Sequence, residues 1–223
     1  MVFELFKGQS ESPLEAIEGG VRTMLATSGR VLELAVSAFE AGTSAREIGH
    51  EVRKTDREVN KAERSIRREL VVHVSVQAGA NLPLVLVYMS IIKDIERIGD
   101  YAKNIWDVAV AVEGRSEGPD LTALRPLFDR TIALVSEIGE LYAARDVERA
   151  TATLNKCDDW LDEYDATVDA LMLSTKPSTI GVPEALLNRH LKRITAHLMN
   201  VLTAVVMPID RLDYWDEDKI DRQ

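Results

Sequence analysis

Glu96, Asp100 and Asn104 sit four residues apart in the stretch DIERIGDYAKNI (94–105), inside a segment whose other residues are largely aliphatic. Residues four apart on a helix share a face. Two carboxylates and an amide therefore form one polar stripe, with Ile95, Ile98, Ala102 and Ile105 on the opposite side. Asp56 and Asn60 repeat the spacing on the helical stretch before it. If the two stripes face each other, carboxylates from two helices cluster. Like charges that close destabilise one another unless a cation bridges them, and oxygen-rich clusters suit hard or borderline divalent ions. Spacing alone also describes a solvated face, the commoner case, with Arg97 and Lys103 balancing the acids. Gly99, inside the same helix, costs about 1 kcal/mol against alanine and implies a close approach by a neighbouring helix.

Other chemistry finds little support. The four histidines (His50, His73, His190, His197) have no nucleophile or metal-ligand partner at a telling spacing. No glycine-rich phosphate loop is present: GQSESP near the start lacks the lysine and the preceding strand. An enzyme is the least supported class. The single cysteine, Cys157, excludes an intramolecular disulfide framework and falls on an apolar helical face, as a packed thiol does. Net charge is −10, from 37 acidic and 27 basic residues, and the basic run RKTDREVNKAERSIRRE (53–69) alternates with acids. Such a surface repels phosphate backbones, so direct nucleic-acid binding is not expected. The start, MVFELFKGQS, does not read as a secretory signal. The longest apolar run, LPLVLVYM (82–89), is too short to cross a bilayer. A cytoplasmic protein is the expectation.

Six helical stretches must position these residues. The first runs from about Pro13 to Ala41, opened by Ser12–Pro13 and carrying Leu14, Ile17, Val21, Met24, Val31, Ala35 and Ala38 on one face. The second starts near Ser44, with Ile48, Val52, Val59, Ala62 and Ile66 in register. The third follows AGANLP and bears the polar stripe. A break at EGRSEGPD (113–120) separates it from a fourth, Leu121 to Ala144. The fifth carries Leu154, Cys157, Leu161, Tyr164, Val168 and Leu171. The loop STKPSTIGVPE (174–184) leads to a sixth with Leu187, Leu191, Ile194, Leu198, Val201 and Val205. Alternating steps of three and four mark antiparallel packing in a bundle, and no sustained period-two run predicts a strand. The expected class is all-α.

The two halves also resemble each other. Arg97 aligned on Arg193 sets ERIGDYAKNI over KRITAHLMNV, with arginine, isoleucine and asparagine in register at an offset of 96 residues. In the preceding helices Asp56 matches Asp158 and Asn60 matches Asp162, at an offset of 102. The difference falls in loops, where length varies cheaply. Six helices thus read as two tandem three-helix bundles: residues 1–113, a linker at 114–120, and a second, degenerate unit at 121–223.

The stretch DIERIGDYAKNI closely resembles the signature of the PhoU phosphate-uptake regulators, approximately D-L-E-R-I-G-D-x-A-x-N-I. The resemblance extends over the whole chain, strongly in the first half and loosely in the second. It implies two three-helix bundles in tandem and a non-enzymatic adaptor that represses the phosphate-starvation response. The implied partners are a phosphate ABC transporter and a membrane sensor histidine kinase. Asp94, Arg97, Gly99 and Asn104 would organise the signature face. Some members bind iron or zinc clusters through E/DxxxD motifs. By position these ligands would be Asp56, Asn60, Glu96 and Asp100 in the first bundle and Asp158 and Asp162 in the second. Lys192 and Ala196 stand where the last motif needs carboxylates, so the second site is expected to be lost and the first weakened by Asn60. A metal-binding protein, or an accessory regulator of another ion transporter, is the alternative. The tail MPIDRLDYWDEDKIDRQ, with Tyr214 and Trp215, reads as a frayed cap on the second bundle rather than a docking segment. Long exposed helices also suit a homodimer.

Overall fold

A computed structural model describes residues 13–76 and 81–212 of the chain. Ser12, the first residues of the AGANLP connection, and Tyr214 and Trp215 of the tail lie outside them. Six helices follow in order: α1 (Pro13–Ser37), α2 (Ala45–Val76), α3 (Leu82–Val112), α4 (Leu121–Ala144), α5 (Val147–Met172) and α6 (Ser178–Val206), then a 3-10 turn at Ile209–Arg211. No strand occurs among the described residues. The chain is all-α, two three-helix units in tandem.

Each helix is set by its apolar stripe and by local caps. In α1, Ile17, Val21, Met24, Val31 and Ala35 are all buried, as their spacing predicts. This helix stops at Ser37 rather than Ala41. Gly42 takes a left-handed φ of 84° and Phe39 leaves the helical path to stack on Phe128 of α4, ring centroids 5.5 Å apart. Two aromatic faces buried against each other outweigh one more turn of helix. At the start of α2, Glu113 from the far end of α3 accepts from Ser44 Oγ and Ala45 N, both at 2.9 Å, closing the first unit. Asp120 caps α4 by accepting from Thr122 N at 2.9 Å, and Asp146 caps α5 by accepting from Arg149 N at 3.0 Å.

The stretch 174–184, expected as a loop, is largely helix: α6 begins at Ser178 and passes through Gly181 and Pro183. Pro183 forgoes one backbone bond, but its ring is buried, and the next residue, Glu184, accepts from Asp120 N at 3.0 Å and from Lys176 at 2.7 Å. Tertiary packing holds a turn that local signals disfavour. In α5 the apolar face is only partly covered. Leu154, Cys157 and Tyr164 are buried, whereas Leu161, Val168 and Leu171 are half-buried. This helix packs along α6 and touches α4 sparingly.

The two units share one continuous core. Helix α3 lies along α6, and α1 lies against α4. At the second contact Gly29 lets α4 approach so closely that a Cβ there would stand 2.8 Å from Val135 Cγ1. Glu18 of α1 ties the same side together, accepting from Arg145 at 3.2 Å and from Tyr88 at 3.3 Å.

Candidate functional site

Helix α3 presents polar groups to two neighbours at once. Toward α2 it offers Glu96, Gly99, Asp100 and Lys103; toward α6 it offers Asp94 and Tyr101. These are the residues of the 94–105 stretch, and their division between two faces explains why a packed helix carries so much charge.

On the α2 side the stripe is a crevice, not a solvated face. Glu96 is only 9% exposed and Asp56 only 8%, with Asp100 and Asn60 half-buried. Cations fill the crevice. Lys103 Nζ stands between Asp56 Oδ2 and Asp100 Oδ1, 3.4 Å from each. Glu96 meets Lys93 at 2.7 Å and Arg97 at 3.8 Å, and Arg97 also reaches Asp100 at 3.2 Å. Burial pulls the Lys103 ammonium down, but Asp56 and then Asp100 outweigh it and hold it above the ordinary lysine range. Asn60 spends its amide N–H on the Asp56 carbonyl at 3.0 Å, within its own helix. Asn104 is half-buried at the end of the stripe.

A metal is not what this arrangement fits. No group of three or more His, Cys, Asp or Glu is placed to hold an ion among the described residues. In the first bundle the lysine ammonium occupies the position between the carboxylates that a bridging cation needs. Glu63, one turn beyond Asn60, is buried and paired to Arg67 at 2.8 Å. In the second bundle Asp158 is half-buried and Asp162 exposed, Ala196 is buried, and Lys192 hydrogen-bonds Asp165. Gly99 is also less constrained than its position implied. A Cβ there would meet Val59 Cγ1 at 3.7 Å and Asp56 Oδ1 at 3.8 Å, both ordinary contacts.

On the α6 side a buried polar cluster joins the two units. Asp94, 9% exposed, bonds His197 Nδ1 at 2.8 Å and accepts from Asn200 Nδ2 at 3.1 Å. With Asp94 ionised, Nδ1 carries the proton and donates. Tyr101 stacks on His197 at 5.6 Å and lies 6.0 Å from His190, while the Arg193 guanidinium sits 5.8 Å from its ring. His190 is half-buried, and that burial lowers its pKa, with Asp107 opposing and Arg189 adding to the shift. His197 is therefore not the solitary histidine its sequence context implied. His197 and Asn200 were missed because their partner lies 103 and 106 residues away. A signal did exist: the 96-residue offset makes Tyr101 and His197 equivalent positions, and equivalents meet where a repeat packs on itself.

Cys157 is sealed in the core, and burial pushes its thiol up to about 12, which makes it inert. None of the described helices is long and apolar enough to cross a membrane.

A family model described as the PhoU domain matches residues 21–109, which take in most of α1 and all of α2 and the charged crevice. The phosphate-specific transport system accessory protein PhoU of Escherichia coli (strain K12) is 25% identical over 139 residues, 60% of this chain and 58% of that protein. The same protein of Shigella flexneri matches at 25% over the same length. The chain thus spans 58% of the length of these curated relatives. The crystal structure of PhoU from Pseudomonas aeruginosa superposes with a TM-score of 0.76 at 22% identity, covering 86% of this chain and 95% of that one. The phosphate transport system regulatory protein PhoU from Streptococcus pneumoniae gives 0.70 at 18%, covering 87% and 95%. At those identities the likeness to both is one of fold.

Proposed function

We propose that this chain, which belongs to the PhoU family, regulates phosphate uptake as a non-enzymatic adaptor on the cytoplasmic side of a phosphate transporter. A sensor kinase of the phosphate-starvation response is its second partner in this reading. Relatives named as accessory and regulatory proteins of phosphate transport support the general role. The observation that carries the mechanism is the neutralised crevice of α2 and α3. Asp56, Glu96 and Asp100 each meet a lysine or arginine within 4 Å, which commits them to electrostatic packing and recognition rather than to proton transfer. Their partly exposed cations, Lys93 and Arg97, give the signature face a charge pattern that a partner can read.

Affinity capture after crosslinking, from cells grown in high and in low phosphate, tests the reading. A phosphate-transporter ATPase or a sensor kinase should be recovered in amounts that change with phosphate supply. The Glu96→Ala/Asp100→Ala variant should keep its helical circular dichroism and lose most of that recovery. Full recovery with the variant would remove the crevice from the mechanism, and capture of a different transporter would move the pathway.

The same reading gives Lys103 the role that a metal would otherwise fill. Iron or zinc would have to displace it from between Asp56 and Asp100. Protein purified without chelators should carry neither metal at stoichiometric level. A full equivalent that disappears in Asp56→Ala would restore the metal-binding alternative.

A further inference from the structure

Helix α2 carries a row of cations on its outward face. Arg57, Lys61, Arg64 and Arg68 follow the i, i+4, i+7, i+11 spacing of one helical face and fall within about 60° of one another around the axis. All four are exposed, and none of them makes an ion pair among the described residues. Their neighbours behave differently. Lys54 pairs with Glu51 at 3.1 Å, Arg67 pairs with Glu63 at 2.8 Å, and Arg53 lies over the Trp106 ring. The acids that alternate with the row in sequence fall on other faces: Glu51, Glu58 and Glu69 lie about a quarter-turn or more to one side, Asp56 and Glu63 to the other. Like charges three and four residues apart destabilise a helix, and a chain with 37 acids to 27 bases has no need of such a row for solubility. Lys61, Arg64 and Arg68, with Ala62 and Ser65, line a shallow depression in this face. One turn beyond Arg68, Val71 and Val72 are 60% and 59% exposed.

We propose that this row is a docking surface for an acidic amphipathic helix of a partner protein, with carboxylates at three- and four-residue spacing set against Arg57, Lys61, Arg64 and Arg68 and an apolar end against Val71 and Val72. Width selects the partner. The positive strip is one helix face wide and bordered by acids, so an anionic bilayer or a nucleic-acid duplex laid across it would meet Glu51, Glu58 and Glu69 as well. A single acidic helix presents a strip of the same width and meets the cations alone. Length agrees: from Arg57 to Val72 the face runs about 22 Å, which about 15 helical residues match. A row of the matching kind exists in this chain, Asp158, Asp162, Asp165 and Asp169 on α5, but Asp165 is already held by Lys192 and Arg189 of α6. A second copy is therefore a poorer counterpart than an independent helix. The strip is separate from the crevice between α2 and α3, and the inference does not rest on the phosphate-transport reading.

Fluorescence anisotropy with the full chain and synthetic peptides tests this. The probe is an alanine-based helix of about 18 residues with glutamates along one face and two leucines at one end; a scrambled form keeps the composition and spreads the glutamates around the helix. The ordered peptide should bind roughly tenfold tighter than the scrambled one. Arg57→Gln/Lys61→Gln/Arg64→Gln/Arg68→Gln should keep its helical circular dichroism, since all four side chains are exposed, and bind the ordered peptide roughly tenfold more weakly. Arg22→Gln/Arg30→Gln/Arg115→Gln/Arg149→Gln removes the same charge from exposed positions elsewhere and should change binding less than about twofold. Equal affinity for the two peptides, or equal losses in the two variants, would overturn the proposal, because net charge and not the row would then be read. Tighter row-dependent binding to phosphatidylglycerol vesicles or to a short DNA duplex than to the peptide would also overturn it, assigning the row to a membrane or to nucleic acid. So would a wild-type dimer in sedimentation equilibrium that the row variant abolishes, assigning it to a second copy. No transporter or kinase enters these measurements, so their failure leaves the adaptor reading standing.

Discussion

Asp94 has the least replaceable side chain in the signature stretch, because two buried partners from another helix depend on it. Truncation to alanine would remove the carboxylate that bonds the buried His197 ring and one partner of the buried Asn200 amide, each less than a tenth exposed. Asp94→Ala should therefore lower stability by roughly 2–4 kcal/mol, read as a reduced urea midpoint at constant slope. Asp94→Asn keeps an acceptor oxygen and should cost less than half as much. Equal losses for the two variants would mean that the negative charge itself, not the hydrogen bonding, holds the seam. The spacing puts Glu96 and Asp100 on one helical face, and Arg97 and Lys103 could be read as balancing them. What the spacing could not show is that Lys103 of α3 also reaches Asp56 on α2, 47 residues earlier.

At the level of the helix, two glycines that look alike in sequence behave differently. Gly49 on α2 faces Trp106, and a Cβ at that position would stand 2.4 Å from ring atom Cζ2. The indole cannot retreat easily, because its Nε1 donates to the Ala45 carbonyl at 2.6 Å and Arg53 lies 5.0 Å from its ring. Gly49→Ala should destabilise by about 1–3 kcal/mol through overpacking. Gly99 has only ordinary contacts around it. Gly99→Ala should be neutral or stabilising by up to about 1 kcal/mol, the helix propensity gained on leaving glycine. Thermal melts of the two variants side by side would show opposite shifts; a loss at Gly99 would mean the crevice needs room there. Helix existence and apolar faces were legible throughout, and the span of α4 was anticipated to the residue. The C-terminal end of α1 and the start of α6 were not, because Phe39 stacking on Phe128 and Glu184 capping Asp120 are long-range contacts with no local sign.

The whole molecule depends on the seam between α3 and α6, and that seam contains ionisable rings. Tandem halves were visible in the repeat, but periodicity on single helices says nothing about which helix of one unit lies on which helix of the other. His190 and His197 flank Tyr101 there. Burial holds the His190 pKa below the ordinary histidine value of about 6.5, with Asp107 opposing and Arg189 reinforcing. A group whose folded pKa is depressed takes up its proton more readily in the unfolded chain. Stability then rises with pH, is intact above about 6.5, and falls as pH drops through that value toward the folded pKa. Wild-type protein should lose melting temperature between pH 7.5 and 5.5, and His190→Gln, which cannot be protonated, should lose less over the same interval. His197 and Asp94 are common to both proteins, so the difference between the two curves isolates His190. Parallel curves would mean that acid acts elsewhere; a flatter curve for His190→Gln would show that the contact between the two units senses acidity through one half-buried ring.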